Sequence, residues 1–308
     1  MPDTQAPSSS PASRFDALAE RIGVSPRTLI AGIVLPIISL IVIATTFFVA
    51  PTDQRVLIIL SSLVAIAAGL SSTAIGVYGG VLVPGLLLLG VDARFAAACS
   101  LFLQVLVIPL AAGSHYRMGN FNKKVALPLV IGGVIGAFIG PFFAAALPKE
   151  WIVRFVSAMI VFVGLIVLAT LRFTGLGKVR DESDVPNAQV GGIGLLAGFS
   201  SGVSGAGWGP IGVKLLILSR IDPRQAIGSS LFARIFMAAS AVLGFFIAQT
   251  VINNATANWW IVVPLFAGSV APMIAGAMLL SRLGRERATI AITLLSIALA
   301  LPSLIFGH

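Results

Sequence analysis

Apolar runs of about 20 residues recur along the chain, and no other feature constrains its fold as strongly. A helix of that length crosses the roughly 30 Å hydrocarbon core of a bilayer. Hydrophobic residues make up 57% of the 308 positions and charged residues only 10%, with a mean hydropathy of +1.03. A soluble chain of this size has no reason to repeat such runs. The sequence therefore predicts an all-α, polytopic membrane protein.

Two of the predicted segments are too short to span a bilayer. The apolar segments cover 29–50, 56–77, 80–90, 94–112, 125–147, 151–171, 190–204, 209–219, 224–249, 259–281 and 288–307. Those at 80–90 and 209–219 would extend about 16 Å as α-helices, half of a bilayer. Each follows a glycine-rich break, at 76–80 and at 205–209. They are predicted to be half-helices, either parts of broken spanning helices or arms of re-entrant hairpins.

An internal repeat connects the two short segments. Residues 69–72 (Gly-Leu-Ser-Ser) match 198–201 (Gly-Phe-Ser-Ser), and Gly76 matches Gly205, all at an offset of 129. At an offset of 130, Asp92, Arg94, Ala96, Ser100, Leu101 and Phe102 match Asp222, Arg224, Ala226, Ser230, Leu231 and Phe232. The predicted organisation is a polar tail (1–28), an extra transmembrane helix (29–55), repeat 1 (56–172), a linker (173–189) and repeat 2 (190–308).

Lys and Arg cluster in four regions that alternate with turns of little charge. The clusters are Arg14, Arg21 and Arg27; Arg117, Lys123 and Lys124; Arg172, Lys178 and Arg180; and Arg282, Arg285 and Arg287. By the positive-inside rule, the tail, the linker and the other two clusters are cytoplasmic, and the C-terminus lies outside. This bias explains the net charge of +9 without a nucleic-acid partner. Repeat 1 then begins outside and repeat 2 inside, an inverted-topology repeat typical of secondary transporters.

The glycine-rich breaks mark the predicted functional site. A break exposes backbone groups that a membrane tolerates only where protein or a polar cavity satisfies them. The half-helix N-termini carry free N–H groups and partial positive charge, which favours an anion near the midplane. The predicted binding residues at the breaks are Ser71, Ser72, Tyr78, Gly79, Gly80, Ser200, Ser201, Ser204, Gly207, Trp208 and Gly209. In the alternative interpretation, the small residues only permit close helix packing.

Arg234 is the most informative single residue. Counted from Pro223, it lies about 16 Å into its helix, close to the midplane. A charge at this depth is costly unless it faces a cavity or a partner. Arg234 is predicted to bind the anion, the alternative being a structural pairing with carbonyls of a broken helix. Its repeat mate Gln104 is predicted to join the site, together with Ser100 and Ser230, which lie four residues earlier on the same helix faces.

Two further groups have competing interpretations, and two others have a single one. Lys214, within the second half-helix, is either a second positive group of the site or a side chain that extends to the interface. Asp92 and Asp222 are candidate proton carriers, but N-capping is the favoured interpretation because each directly precedes a helix. The single Cys99 offers neither a disulfide framework nor a Cys-based metal site, and no cofactor is predicted. A glycine stripe is predicted to serve helix contact alone: Gly132, Gly136 and Gly140.

These residues carry a resemblance to a known family. The glycine-rich break, the following Pro84, and the Asp, Ala and Ser of the next helix, present twice, resemble the TauE/SafE family of sulfite and organosulfonate transporters. The resemblance covers about 56–307. It implies bacterial-type inner-membrane transport, often export, of small sulfur-containing anions. The second half departs from the pattern, since Val213 stands in the place of Pro84 and Pro210 comes earlier.

Two other functions remain open in the sequence. Residues 202–205 (Gly-Val-Ser-Gly) match the motif of rhomboid-like intramembrane serine proteases. A nucleophilic Ser204 needs a base at membrane depth, whereas His115 falls in a predicted loop and His308 at the C-terminus. No enzymatic activity is therefore expected. A passive anion channel is the other alternative. The expected partners are the bilayer and a small anion, with a coupling proton or ion and a homodimer left open.

Overall fold

The structure is a computed structural model, which describes residues 26–75, 77–117, 119–170, 186–206, 209–248, 258–272 and 285–307. Apart from the turns between helices, these residues are helical, and none of them forms a strand, as predicted. Six of the helices are long and apolar enough to cross a membrane. Residues 1–25 of the predicted tail, most of the predicted linker and Arg282 lie outside the described residues.

The helices follow the predicted apolar segments closely. They are α1 Pro26–Val49, α2 Arg55–Ile75, α3 Gly79–Leu88, α4 Ala93–Arg117, α5 Lys123–Ala146, α6 Lys149–Thr170, α7 Asn187–Ser204, α8 Gly209–Leu218, α9 Pro223–Ile247, α10 Val262–Val270 and α11 Arg285–Phe306. Residues 187–189 belong to α7 and not to the linker, because a helix extends its polar first turn beyond the apolar segment from which the boundary was predicted.

The two half-helices are the returning arms of re-entrant hairpins. The side chains of Gln189 in the first turn of α7 and Ser219 after α8 form a 2.9 Å hydrogen bond. Gln54, just before α2, accepts a hydrogen bond from Asn258. Phe95, beyond α3, lies edge-on to Trp259 with ring centroids 5.4 Å apart. Each hairpin therefore starts and finishes at one end of the helix bundle.

The turns between the helices lie at two ends of the bundle, which are called the Asn258 end and the Asn122 end after one residue of each. Besides Gln54 and Phe95, the Asn258 end holds Arg94, whose guanidinium donates to the carbonyls of Ala144 and Leu147 at the end of α5. At the other end, Asn122 donates a 2.9 Å hydrogen bond to Gln225 and exchanges backbone hydrogen bonds with the Ser229 hydroxyl. The α2–α3 hairpin enters from the Asn258 end and the α7–α8 hairpin from the Asn122 end.

Glycines allow the hairpins to pack closely on the long helices. The stripe of Gly132, Gly136 and Gly140 on α5 faces the backbone of α7, and a Cβ at any of these positions would meet α7 backbone atoms. The predicted close-packing stripe is confirmed. The α2–α10 contact is similar, because a Cβ at Gly268 would lie 2.8 Å from the Ser62 carbonyl oxygen. Close helix contacts built on small residues are the usual way for membrane helices to associate.

Capping carboxylates start the two helices that follow the hairpins. Asp92 accepts hydrogen bonds from the backbone N–H groups of Arg94 and Phe95, at 2.9 and 3.2 Å. Asp222 accepts the equivalent pair at the start of α9, also at 2.9 and 3.2 Å. These bonds satisfy N–H groups that every helix leaves unpaired in its first turn. The N-capping interpretation is confirmed.

Candidate functional site

A chain of hydrogen bonds links α9, α4 and the tip of the second hairpin. Arg234 donates from Nη2 to Gln104 Oε1 at 2.9 Å. The amide nitrogen of Gln104 donates to the Gly205 carbonyl at 3.1 Å and to the Ser100 hydroxyl at 3.2 Å. The Ser100 hydroxyl donates to the same carbonyl at 2.7 Å. The helix faces that carry Gln104 and Arg234 therefore meet, as the repeat predicts, and together hold a backbone carbonyl of the break.

This chain of contacts lies halfway along both helices. Gln104 is 11 residues from the start of α4, and Arg234 is 11 residues from the start of α9, each helix having 25 residues. Eleven residues correspond to about 16 Å, roughly half of the hydrocarbon thickness. Among the described residues, the acidic side chains occupy helix starts and turns: Asp53, Asp92, Glu150, Asp222 and Glu286. The middle of the bundle is therefore electropositive at Arg234.

Ser230 offers a hydrogen-bonding group beside this charge. It lies one helical turn before Arg234, is 6% exposed, and its hydroxyl makes no hydrogen bond. Its repeat mate Ser100 is bonded to Gly205. A buried hydroxyl without a partner loses free energy of about 1–3 kcal/mol, so a ligand that reached it would recover that loss.

The tips of the two hairpins touch through glycines. A Cβ at Gly79, the first residue of α3, would lie 2.7 Å from Ala206 Cα and 2.7 Å from the Ser100 hydroxyl. Gly205 adopts a left-handed φ of +61°, and a Cβ there would lie 2.6 Å from the Ala97 carbonyl oxygen. Only glycine satisfies both the backbone conformation and the close approach. The two breaks therefore meet beside Gln104, as expected of broken elements that share one site.

A small cavity lies on the other side of the tips, with a volume of about 30 Å³. It is bounded by α3, α6, α7 and α11, and its lining residues are Val77, Gly80, Met159, Ile160, Val163, Gly164, Val167, Ser200, Ser204, Ala206, Thr293 and Ser296. Of the predicted residues, it brings together Gly80, Ser200 and Ser204. Sequence reasoning missed Thr293 and Ser296, whose only sequence signal is that two hydroxyls three residues apart share one face of an apolar helix.

Other predicted residues lie in different surroundings. The Tyr78 hydroxyl forms a buried 2.6 Å hydrogen bond with Ser269 of α10, so this group is committed to helix packing in the observed conformation. Ser71 donates to the carbonyl of Ala67 one turn earlier at 2.8 Å. Ser72 is half-buried and Ser201 is buried. Gly209 starts α8. Gly207 and Trp208 lie outside the described residues.

Lys214 is anchored at the far edge of the cavity. Its ammonium donates a 3.2 Å hydrogen bond to the carbonyl of Val167, one of the lining residues. Val167 is eight residues beyond Met159 on α6, about 12 Å along the helix axis. Lys214 is thus held by α6 at the Val167 end of the cavity, whereas Arg234 is bonded to Gln104 of α4.

The sequence of the chain matches the model of the sulfite exporter TauE/SafE family over residues 60–302. This range contains the hairpins, the Arg234 contacts and the cavity. The chain belongs to the TauE/SafE family. The predicted resemblance is therefore confirmed, and so is the multi-pass membrane architecture that it implies.

Curated relatives of this TauE/SafE protein have names of the same kind. A probable membrane transporter protein, YtnM, of Bacillus subtilis is 30% identical over 217 residues, which are 69% of this chain and 71% of the relative. A probable membrane transporter protein of Haemophilus influenzae is 28% identical over 202 residues, 62% of this chain and 74% of the relative. No solved structure matches the chain. Family and relatives together support a membrane transporter.

Ser204, the residue of the protease-like motif, is engaged in backbone contacts. Its hydroxyl donates to the Ser200 carbonyl at 2.7 Å and accepts from the Ala206 backbone N–H at 3.1 Å. These are the contacts of a residue that terminates a helix. The side chains of His115 and His308 are outside the part of the chain that the structure describes.

Proposed function

We propose that this TauE/SafE protein is a secondary active transporter that exports small sulfur-containing anions, such as sulfite or organosulfonates, across the bacterial-type plasma membrane. The anion binds near the midplane, between the hairpin tips and the pair of helices α4 and α9. Arg234 supplies the charge, and Ser230 supplies a hydrogen bond. The family description supports this class of substrate, and the contacts of Arg234 support this position of the site.

The observation that carries this proposal is the depth and neighbourhood of Arg234. A guanidinium halfway through the bundle is expensive to maintain unless it serves a ligand or a partner. Its guanidinium donates a 2.9 Å hydrogen bond to Gln104, which is a neutral amide. An anion with three oxygens, such as a sulfonate, accepts several hydrogen bonds at once, and guanidinium groups recognise such anions with parallel N–H donors.

The two hairpins support an alternating-access mechanism. They enter the bundle from opposite ends, and their tips meet beside Arg234. In an inverted-topology repeat, movement of one half against the other exposes a central site to either side in turn. The tip contact through Gly79 and Gly205 is then the barrier that opens towards one side at a time. The proposal keeps the predicted orientation, with the N-terminus inside and the C-terminus outside.

A panel of sulfur anions tests this function in two steps. We expect sulfite, sulfate, thiosulfate, taurine or sulfoacetate to raise the thermal unfolding temperature of the purified protein in a saturable way, because a ligand stabilises the state that it binds. Proteoliposomes should then accumulate the stabilising anion against its own gradient when an ion gradient is imposed. Stabilisation by none of the five would contradict the proposal.

The same assay separates the transporter from a passive channel. A channel would equilibrate the anion without accumulation, whatever gradient is imposed. A protease activity would instead appear as cleavage of a casein-type or membrane substrate that is lost in Ser204→Ala. We expect no such cleavage.

A further inference from the structure

The cavity beside the hairpin tips has a lining that the anion site does not explain. Three serine hydroxyls in it already direct their protons to the protein: Ser200 donates to Met159 Sδ at 3.2 Å, Ser204 to the Ser200 carbonyl at 2.7 Å, and Ser296 to the Ile292 carbonyl at 2.9 Å. A hydroxyl has a single proton to donate. What these three oxygens have left for the cavity is lone pairs.

The lone pairs left on these serine oxygens favour a cation over an anion as the ligand. An anion would have to break these intramolecular hydrogen bonds before it gained any donor from the serines, whereas a cation binds the oxygens as they stand. The size of the cavity agrees, because about 30 Å³ holds one or two particles the size of water. A sulfonate, with three oxygens around sulfur, is larger than this space.

The lining also indicates the charge of the cation. Among the described residues that line the cavity none is a carboxylate, and sites for divalent ions use carboxylates to compensate the cost of dehydration. Neutral oxygens and the C-terminal end of a half-helix are instead typical ligands of Na⁺ in transporters with broken helices. The helix here is α7, the first arm of the second hairpin, which ends at Ser204 beside the cavity. We propose that this cavity, bounded by Ser200, Ser204, Thr293 and Ser296, is a binding site for Na⁺.

The two nearby positive groups set conditions on the site. The Lys214 ammonium is attached to Val167, about 12 Å along α6 from the Met159 end where Ser200 is bonded. Arg234 lies on the other side of the Gly205 tip, through Gln104. The positive charge of Arg234 repels a cation, and an anion bound to Arg234 reduces this repulsion. Na⁺ and the anion therefore favour each other's binding, a coupling that rests on the proposed function.

Na⁺ binding is tested on the purified full-length protein without any anion substrate. Thermal unfolding is measured while NaCl replaces choline chloride at constant ionic strength. We expect a saturable rise in unfolding temperature with Na⁺. Ser296→Ala and Thr293→Val each remove one oxygen and should weaken Na⁺ affinity about tenfold or more. Ser303→Ala is the matched control, because Ser303 is a fully buried serine of the same helix outside the cavity.

Three results would overturn the Na⁺ site. The first is equal stabilisation by NaCl and choline chloride, which would mean that the cavity holds only water. The second is unchanged Na⁺ affinity in both Ser296→Ala and Thr293→Val. The third is an equal loss of affinity in Ser303→Ala. If Ser296→Ala does not fold, Thr293→Val alone decides the second result.

Arg234→Ala distinguishes this proposal from the proposed function. The variant should keep its response to Na⁺, and bind Na⁺ more tightly than wild type, because a positive charge is lost nearby. In wild type, replacing choline by Na⁺ should strengthen sulfonate binding about fivefold or more. A protein that responds to Na⁺ but to no sulfur anion would refute the transport proposal alone. A protein that binds sulfonate equally in Na⁺ and choline would refute the coupling.

Discussion

Helices α4 and α9 occupy equivalent places in the two halves, and they differ at the residue where a ligand would bind. Both have 25 residues, begin with an aspartate cap and carry a serine seven residues into the helix. Eleven residues in, α4 has the neutral Gln104 and α9 has Arg234. Ser100 of α4 is bonded to the Gly205 tip, whereas the hydroxyl of Ser230 in α9 makes no hydrogen bond.

We propose that this difference separates a holding half, which positions the hairpin tip, from a binding half, which contacts the anion. Every polar atom of the Gln104 amide is used, in contacts to Arg234, Ser100 and Gly205. In the observed conformation Gln104 and Ser100 therefore hold the hairpin tip and the guanidinium. That both also contact substrate stays a prediction from the sequence. Arg234 and Ser230 retain the charge and the unused hydroxyl. In this proposal the predicted repeat provides matching positions on the two helices, and the exchange of Gln for Arg at one of them provides the charge that binds the anion.

The largest expected effect is a loss of stability when Gly205, at the tip of the second hairpin, is substituted. Gly205→Ala should lower the free energy of unfolding by about 3 kcal/mol, since the left-handed conformation costs about 1–2 kcal/mol with a Cβ and the overlap with Ala97 adds about 1–3 kcal/mol. Denaturant unfolding of the purified protein measures this loss in the free energy of unfolding. Gly90→Ala is the control, because Gly90 has φ +76° with open space around it. Equal losses in the two variants would show that the tip is not tightly packed.

A negative charge at position 104 of α4 should remove the difference between the two halves. Gln104→Glu places a carboxylate against Arg234, and the buried ion pair would occupy the guanidinium. We expect sulfonate affinity to fall about 100-fold or more, measured by calorimetry. Gln189→Glu adds the same charge at an exposed position of α7 and should leave affinity unchanged. Binding by Gln104→Glu at wild-type affinity would mean that the anion does not use Arg234.

The smallest expected effect concerns the turns after the half-helices. Gly90 and Arg220 are equivalent in the repeat and both have positive φ, +76° and +67°. Arginine is strained in this conformation, whereas glycine is not. Arg220→Gly should therefore stabilise the protein by about 1 kcal/mol in denaturant unfolding. A destabilised variant would show instead that the Arg220 side chain makes a contact that outweighs the strain.

Local features of the fold followed from the sequence. The lengths of the apolar segments predicted the half-helices, and the Asp-Pro pair of 222–223 predicted the start of a helix. The spacing of the glycines predicted the close-packing stripe on α5. The meeting of Gln104 with Arg234 also followed, because the repeat set their depths. Each of these depends on residues close in sequence or on the repeat itself.

Contacts between distant residues could not be predicted in the same way. Whether a half-helix returns or continues depends on pairs such as Gln189 with Ser219, which no sequence pattern connects. The Tyr78 hydroxyl is bonded to Ser269, 191 residues away. Thr293 and Ser296 join the cavity only because α11 packs against α3 and α6. A lone hydroxyl on an apolar helix carries no sign of which helix it will face.

Calorimetry on Arg234→Ala tests the central claim most directly. Wild-type protein, Arg234→Ala and Arg224→Ala are titrated with the anion that stabilises wild type best; Arg224 is an exposed arginine in the first turn of the same helix. We expect Arg234→Ala to lose about 100-fold or more of its affinity for this anion, and Arg224→Ala to bind the anion as wild type does. Wild-type affinity in Arg234→Ala, or an equal loss in both variants, would contradict a midplane anion site built on Arg234.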